Sequence, residues 1–370
     1  MISRALYLIF EAHDSTRVHL STSHFRGICL GNLAVRIWVL LILATAFVAP
    51  ARADQPSAYG PELEGFEYPF TPERFSFPSQ GQTVSMTFMD VAPNKPNGRT
   101  VVLLHGKNFC AATWEATIKT LVEAGYRVIA PDQVGFCKST KPEHYQYSFQ
   151  QLAENTHGLL KSRGIERTII VGHSMGGMLA ARYALMYPDA VDELVLIDPL
   201  GLEDWKAEGV PYESVDRAYQ TALTTTFESI KDYQLKFYYH GQWKPEYDRW
   251  VSMLAGMYAG PGKERVAWNQ ALTSDMIFTQ PVVYEFERIR VKTLLLIGGA
   301  DRTAPGSNRA PPDVAARLGN YPELARRAIR MIPDARLIEF PELGHAPQIE
   351  APEVFHKALL GALAEGRQPN

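Results

Sequence analysis

The chain of 370 residues lacks the sequence features that are typical of metal-binding, nucleic-acid-binding and repeat proteins. It has three cysteines and no cluster of cysteine, histidine and acidic residues at the spacing of a zinc site, so we predict no metal centre and no cofactor. Its 37 basic and 40 acidic residues nearly cancel to a formal charge of -3, which argues against nucleic acid as a partner. Internal repeats and low-complexity tracts are also absent from the sequence.

The most apolar run, at residues 37–50, is too short to cross a bilayer comfortably. Arg36 precedes this run, and Ala51-Arg52-Ala53 follows it with the small residues of a cleavage site. We therefore predict a signal peptide over residues 1–53 and an exported protein, periplasmic or secreted, with no stable membrane insertion after the signal is removed. The alternative is an uncleaved membrane anchor.

The rest of the chain is rich in short, continuous apolar runs bounded by turn residues. They lie at residues 100–104, 127–130, 168–171, 194–197, 293–297 and 336–340. Strands of a parallel sheet have this composition because both faces of the sheet are covered. Helical patterns alternate with these runs, at residues 112–124, 149–162, 177–187, 312–329 and 352–363. The alternation predicts an α/β fold with a doubly wound, mostly parallel sheet, preceded by a hairpin that turns at residues 79–82.

Residues 201–290 interrupt this alternation, because they contain many aromatic residues and no strand-like run. The segment is too long for a plain connection between two elements. We predict a helical cap here, inserted between a first core part at residues 54–200 and a second at residues 291–370. Its aromatic side chains are expected both to pack against the sheet and to line a pocket.

The strongest chemical motif is Gly172-His173-Ser174-Met175-Gly176, which follows one apolar run and opens a helical pattern. A G-x-S-x-G sequence in this context predicts a sharp turn that lifts the serine hydroxyl above the sheet edge. Gly172 and Gly176 are expected to be required because side chains there would clash within the turn. Ser174 is therefore our candidate nucleophile; the alternative is a glycine-rich turn that connects two elements or binds phosphate.

A serine nucleophile needs a base, and the base needs a group that orients it. His345 and Asp301 each follow an apolar run, so both are expected at the carboxyl edge of the sheet, where Ser174 also lies. We predict His345 as the base and Asp301 as the orienting acid. Asp198, at the end of another run, is the competing acid.

An oxyanion formed at Ser174 needs two N–H donors. We predict the amide of Met175, next to the nucleophile, and the amide of Lys107, in the loop that begins His105-Gly106. The Lys107 side chain would meet an anionic substrate or point to solvent. His105 is expected to brace its loop rather than to act as a second base.

Together these motifs resemble the α/β-hydrolase superfamily over nearly the whole mature chain. The segments that carry the resemblance are HGKNF, PDQVGFCKS, GHSMGG, GGADR and LGHAPQIEAPEVF. The resemblance implies the α/β-hydrolase fold with a helical cap over the pocket, and it is nearest to compact esterases, carbon–carbon bond hydrolases and cofactor-free haloperoxidases. Related epoxide hydrolases and haloalkane dehalogenases have aspartate where this chain has Ser174, which argues against alkyl-transfer chemistry.

The chain departs from that family at Cys137, where glycine is usual, and at Lys107-Asn108, where an apolar residue and proline are frequent. Cys110 and Cys137 then lie on loops that follow neighbouring strands, close to the site. We predict a disulfide between them that braces the oxyanion loop; the alternative is two buried free thiols. An even number of cysteines after signal removal suits an oxidising compartment.

The predicted reaction is acyl transfer from a small to medium carboxylic ester to water, through an acyl-enzyme on Ser174. Carbon–carbon bond hydrolysis, aminopeptidase activity and perhydrolysis remain alternatives on the same residues. A ligand-binding protein without catalysis is the alternative from another class. The oligomeric state stays open.

Overall fold

The computed structural model describes residues 57–365, so the predicted signal peptide at residues 1–53 lies outside the described residues and stays a prediction. Eight strands form one sheet in the order β1-β2-β4-β3-β5-β6-β7-β8. The strands are β1 (Pro72–Ser79), β2 (Gln82–Val91), β3 (Thr100–Leu104), β4 (Arg127–Pro131), β5 (Thr168–His173), β6 (Val191–Ile197), β7 (Thr293–Gly298) and β8 (Ala335–Phe340).

The first two strands are the antiparallel part of the sheet. β1 pairs with β2, and β2 pairs with β4, in antiparallel register, whereas all pairs from β4 to β8 are parallel. Gln80 and Gly81 join β1 to β2 with φ angles of 50° and 76°, the left-handed conformation that a two-residue hairpin turn needs. The predicted hairpin and the mostly parallel sheet are therefore confirmed.

The continuous apolar runs are explained by cover on both faces of the sheet. In β3, Val101 and Leu103 belong to one buried cluster, and Val102 and Leu104 belong to the other. Alternate side chains of a strand point to opposite faces. Every position must therefore be apolar when helices pack on both sides.

Eleven helices, apart from short 3-10 turns, lie within residues 57–365. They are α1 (Glu115–Glu123), α2 (Phe149–Ser162), α3 (Met175–Met186), α4 (Val215–Ala222), α5 (Phe227–Phe237), α6 (Asp248–Ala259), α7 (Lys263–Thr279), α8 (Pro312–Ala315), α9 (Tyr321–Met331), α10 (Pro347–Glu350) and α11 (Pro352–Glu365). Buried side chains of α1 and α11 join the cluster on one face, and those of α2, α3 and α9 join the cluster on the other. None of the helices in this part of the chain combines the length and apolar character needed to span a membrane.

The single helix predicted over residues 312–329 is wrong, because the chain breaks it into α8 and α9. Gly319 has a φ of 68°, and a Cβ there would lie 2.8 Å from the carbonyl oxygen of Arg302. Its N–H donates to Glu203 Oε1 at 3.0 Å. Glycine permits this close approach to the loop that contains Asp301, and the helix cannot continue through it.

The segment between β6 and β7 contains helices α4 to α7 and no strand. Contacts group this insert with the sheet in one compact unit that includes all the described residues. Helix α4 packs on α7, and α5 packs on α6. The insert is thus a set of paired helices placed between the strands that precede Asp198 and Asp301.

Candidate active site

Ser174 occupies a sharp turn between β5 and α3, with φ 57° and ψ -121°. A Cβ at Gly172 would lie 2.1 Å from the carbonyl oxygen of Gly176, and a Cβ at Gly176 would lie 2.1 Å from that of Leu104. The serine N–H donates to the carbonyl of Ile197 in the neighbouring strand at 3.1 Å. Such an uncommon backbone conformation persists only when its surroundings hold it, which is frequent at functional sites.

The structure brings Ser174, His345 and Asp301 into one hydrogen-bonded chain. Ser174 Oγ lies 2.9 Å from His345 Nε2, and His345 Nδ1 lies 2.6 Å from Asp301 Oδ2. The side chains are almost fully buried, with exposed fractions of 2%, 0% and 0% in that order. Because an ionised carboxylate accepts only, Nδ1–H donates to Asp301 and leaves Nε2 free to accept the serine proton.

The Asp301 carboxylate is itself held by its own loop. Thr303 N–H donates to Asp301 Oδ1 at 2.7 Å. Asp301 follows β7, and His345 follows β8, so parallel strand ends supply both residues at one edge of the sheet. The acidic residue followed by threonine two positions later is a local pattern from which sequence analysis could have identified this support.

The backbone of His345 is fixed by the insert, which sequence analysis missed. Its N–H donates to the carbonyl of Tyr238 at 3.0 Å, and the two rings lie 4.7 Å apart between centroids. Glu350 accepts from Gly344 N–H at 2.7 Å and also pairs with His240 Nε2 at 2.7 Å. No short-range motif identifies Tyr238 or Glu350, because their partners are distant in sequence or belong to another element.

Asp198, the competing acid, does not contact His345. Its Oδ1 accepts from the N–H of Gly298 at 2.9 Å, in the neighbouring strand. Burial and the nearby charge of Asp301 raise the pKa of Asp198 well above its ordinary value. Of the two candidate acids, Asp301 is the one beside the imidazole.

The loop after β3 lies directly against the serine. A Cβ at Gly106 would lie 3.0 Å from Ser174 Cβ, closer than most Cβ contacts, so glycine favours this close approach of the backbone. Lys107 lines the same cavity as Ser174, and Met175 is the first residue of α3. Both candidate donor residues therefore border the nucleophile, and their role toward an oxyanion stays a prediction.

The Lys107 side chain points neither to bulk solvent nor freely into the cavity. Its Nζ donates to the carbonyl of Gln270 at 2.8 Å and to Thr273 Oγ1 at 3.3 Å, both on helix α7. Burial lowers the pKa of Lys107 from 10.5 to about 7. The amine ties the loop after β3 to the cap.

Two further histidines have structural partners. His105 Nδ1 lies 2.8 Å from the carbonyl oxygen of Gly106, and its Nε2 accepts from Gln133 N–H at 3.1 Å. His173 Nε2 donates to the carbonyl of His345 at 2.7 Å. Burial lowers the pKa of both rings, which favours the neutral forms that these contacts require.

Cys110 and Cys137 lie on the loops after β3 and β4, with their Sγ atoms at bonding distance and their Cα atoms 5.8 Å apart. With Asp132 they form the one group of potential metal ligands found in residues 57–365. The Asp132 oxygens already accept from Ala111 N–H, Tyr68 O–H and Lys138 N–H. Bonded sulfurs would leave no free thiolate for a metal, and formation of the disulfide itself stays a prediction.

Ser174 borders a cavity of about 440 Å³ between the sheet edge and the insert. Its walls combine apolar side chains such as Leu200 and Ile277 with hydroxyl groups, the Lys107 side chain and the ion pair of Arg309 with Glu213. A larger cavity of about 630 Å³ is lined by none of Ser174, His345 and Asp301, so the smaller one is the candidate binding site.

The aromatic residues of the insert divide between two uses. Tyr233, Tyr238 and Tyr258 line the cavity beside Ser174. Tyr239 and Tyr247 stack at 3.9 Å between ring centroids and are buried in the core. The cap thus both packs on the sheet and provides rings to the pocket.

Comparisons with known proteins agree with this architecture. A family model described as alpha/beta hydrolase fold matches residues 99–352. A 2-hydroxy-6-oxononadienedioate/2-hydroxy-6-oxononatrienedioate hydrolase of Comamonas testosteroni is 28% identical over 275 residues, which cover 73% of this chain and 89% of that protein. Lipase 1 of Psychrobacter immobilis is 27% identical over 258 residues, 69% of this chain and 73% of that protein.

A solved structure is more similar still in sequence. The crystal structure of a probable hydrolytic enzyme from Pseudomonas aeruginosa PAO1 superposes with a TM-score of 0.83 at 62% identity. The match covers 85% of this chain and all of that one. The two chains therefore share the same arrangement of sheet and insert over nearly all of the described residues.

Proposed function

The chain belongs to the α/β-hydrolase fold family and is a hydrolase; on that premise we propose that it is a serine hydrolase that cleaves a small to medium carboxylic ester. The observation that supports this proposal most directly is the buried hydrogen-bonded chain from Ser174 Oγ through His345 to Asp301. Such a chain supplies the nucleophile, base and orienting acid that acyl transfer needs.

In the first half of the proposed reaction, Ser174 Oγ bonds to the ester carbonyl carbon while its proton passes to His345 Nε2. The tetrahedral intermediate collapses, its bond to the alcohol oxygen breaks, and His345 returns the proton to the departing alcohol. In the second half, His345 removes a proton from water, whose oxygen attacks the acyl carbon. The second tetrahedral intermediate collapses, its bond to Ser174 Oγ breaks, and His345 returns the proton to Ser174 as the carboxylic acid leaves. Asp301 holds Nδ1–H in place and stabilises the imidazolium in both halves.

Negative charge develops on the carbonyl oxygen in each tetrahedral intermediate. We propose that the backbone amides of Met175 and Lys107 bind it, since both residues border Ser174. The amino end of α3 adds partial positive charge at the same place. In other enzymes, removal of one side-chain donor to such an oxyanion typically costs about 100- to 1,000-fold in kcat.

The cavity supports an ester of moderate size. Its volume of about 440 Å³ lies in the range of roughly 300–1,000 Å³ that is usual for small-molecule sites. Apolar side chains would take the acyl or alkyl group, and the hydroxyl groups and Arg309 would orient polar substituents.

Carbon–carbon bond hydrolysis is the second candidate. It is favoured by one observation, the 28% identity over 73% of the chain to a hydrolase named for 2-hydroxy-6-oxononadienedioate. Substrates of that kind carry carboxylates, and Arg309 on the cavity wall, paired with Glu213 at 3.0 Å, is the cation available to one of them. Export of the chain would argue against it, because ring-cleavage products arise inside the cell.

A fluorophosphonate probe followed by a panel of chromogenic esters, anilides and lactones tests the proposal. Wild-type protein should label once, at Ser174, and should turn over esters faster than anilides. Ser174→Ala should abolish both labelling and turnover, whereas Ser274→Ala, a serine on the wall of the same cavity, should still label. Wild-type protein that is not labelled would overturn the proposal and favour a ligand-binding role. Faster turnover of anilides would favour an aminopeptidase, formation of a peracid would favour a perhydrolase, and cleavage of a vinylogous diketone would favour a carbon–carbon bond hydrolase.

We also propose that the protein acts after export, as a periplasmic or secreted enzyme. The proposal is supported by the signal-like segment at residues 1–53 and by the two sulfurs at bonding distance. Intact mass of protein recovered from its native cells should correspond to a chain starting near Asp54. A full-length mass with three alkylatable thiols, Cys29 included, would contradict export.

A further inference from the structure

Asp198 lies between the strand that presents the nucleophile and the strand that presents the acid. It follows β6, which pairs with β5 on one side and β7 on the other. Its own N–H donates to the carbonyl of Leu296 at 3.0 Å. Its φ of 37° is in the left-handed region, and its side chain is fully buried. A buried carboxyl on a strained backbone, next to catalytic candidates that it does not belong to, indicates a role of its own.

The carboxyl groups of Asp198 and Asp301 are both fully buried, and each follows one of two neighbouring parallel strands. Oδ1 of Asp198 accepts from Gly298 N–H at 2.9 Å, while Oδ2 receives no donor from any residue in the described part of the chain. Two ionised carboxylates both accept and neither donates. One of the two must therefore carry a proton for a hydrogen bond to join them.

The contacts of the two carboxyls decide which one is protonated. Asp301 Oδ1 accepts from Thr303 N–H at 2.7 Å and Oδ2 accepts from His345 Nδ1–H at 2.6 Å, so each of its oxygens already has a donor. Asp198 accepts a single N–H.

The charged groups that face Asp198 agree with this assignment. The carboxylates of Asp301, after β7, and Glu350, on α10, both act on it, and from α9 Tyr321 faces it with a neutral phenol. The two charged groups that act most strongly on Asp198 are thus both carboxylates. Burial and the Asp301 charge raise its pKa well above the ordinary value.

We infer that Asp198 is protonated at neutral pH and donates a hydrogen bond from Oδ2 to Asp301, so that it is a positioning residue for the acid beside His345. Asp301 is then held from three sides, by Thr303, His345 and Asp198. The site also keeps one negative charge next to the imidazole instead of two. The positioning part rests on the proposed hydrolase mechanism, whereas the protonation does not.

The variants Asp198→Asn and Asp198→Ala separate the roles. An asparagine amide can accept from Gly298 N–H and donate to Asp301, so it imitates the neutral acid. We expect Asp198→Asn to keep kcat for p-nitrophenyl butyrate within about three-fold of wild type, with the acidic limb of the pH–kcat profile unmoved. Asp198→Ala should lower kcat by about 10- to 100-fold at nearly constant KM, the effect of leaving Asp301 without one donor.

Infrared spectroscopy tests the protonation without any turnover. At neutral pH the wild-type protein should show the carbonyl stretch of a neutral carboxylic acid, and this band should vanish in Asp198→Asn. Glu193→Gln is the matched control, because Glu193 is buried at the other end of the same strand and lies 3.7 Å from Arg99 and from Arg336. The band should persist in that variant.

Each result has one consequence. Loss of the band in Asp198→Asn with retained kcat supports the inference in full. A band that persists in Asp198→Asn overturns the protonation, and a kcat loss in Asp198→Asn as large as that in Asp301→Asn overturns the positioning role and makes Asp198 a charged participant. If no ester is turned over, the infrared result still decides the protonation, so the failure of the proposed function remains distinguishable.

Discussion

Replacement of Asp301 by asparagine is the sharpest test of the proposed mechanism, because it changes one atom and removes one charge. The carboxylate accepts from His345 Nδ1–H at 2.6 Å and from Thr303 N–H at 2.7 Å. In Asp301→Asn the side-chain oxygen can still accept the hydrogen bond from Thr303 N–H, and the new NH2 group then faces His345 Nδ1. The ring must turn Nδ1 into an acceptor, which places the proton on Nε2, toward Ser174 Oγ at 2.9 Å.

The size of the effect follows from two losses, the acceptor at His345 Nε2 and the negative charge of Asp301. With Nε2 protonated, His345 cannot take the serine proton, and the imidazolium has no carboxylate to stabilise it. We expect kcat for a p-nitrophenyl ester to fall by about 1,000- to 10,000-fold, which is roughly 4–5.5 kcal/mol of transition-state stabilisation. KM should change little, because Asp301 is buried behind His345 and does not line the cavity.

Steady-state kinetics and the rate of fluorophosphonate labelling should fall together. Asp334→Asn is the control, since it makes the same chemical change at an exposed residue before β8 and should leave kcat unchanged. Circular dichroism and thermal unfolding should show that Asp301→Asn remains folded. A folded Asp301→Asn enzyme with kcat within ten-fold of wild type would refute the orienting role of Asp301.

Three further predictions use other parts of the structure. Gly176→Ala should lower the free energy of unfolding by about 3 kcal/mol or more and abolish labelling, because its Cβ would lie 2.1 Å from the Leu104 carbonyl oxygen. Gly361→Ala, in α11 with no atom within 4 Å, should raise the unfolding free energy by about 1 kcal/mol in urea titrations, and equal effects of the two variants would contradict the geometry. Burial lowers the pKa of Lys107 from 10.5 to about 7, so between these pH values the unfolded chain binds a proton that the folded chain does not. The free energy of unfolding of wild type relative to Lys107→Met should therefore rise as pH rises from 7 to 10.5. A difference that does not change with pH would show that the amine is solvated. Cys110→Ser with Cys137→Ser should lower the unfolding free energy by about 3.5 kcal/mol from the lost cross-link over a sequence separation of 27 residues, whereas unchanged stability and equal alkylation with and without reductant would indicate free thiols.

Local sequence determined the parts of the site that depend on neighbouring residues. The turn around Ser174 is built from residues 172–176, and its glycines are required by contacts within the turn and with β3. The apolar runs predicted the parallel strands because each strand is covered on both faces, and this part of the prediction is confirmed. The family, too, was recognisable from five short motifs and agrees with the match over residues 99–352.

The single helix predicted over residues 312–329 is wrong because of tertiary contacts at Gly319, which the spacing of apolar residues does not indicate. Its pattern of apolar residues continues past Gly319, but the backbone there bends against Arg302 and binds Glu203. Likewise, the sequence left two destinations open for the Lys107 side chain, solvent or substrate, and the structure binds it to helix α7 instead.

The sequence by itself determined which residue types stand at the ends of the strands, because each strand and its following loop are short stretches of chain. It predicted Asp301 as the orienting acid but left Asp198 as a competitor, since both follow parallel strands and the choice depends on which strand end faces His345 across the sheet. Only the tertiary structure decided that Asp301 meets the imidazole, that Tyr238 and Glu350 hold the loop of His345, and that three tyrosines of the insert border the cavity. These are contacts between segments far apart in the chain, and no local pattern of residues specifies such distances.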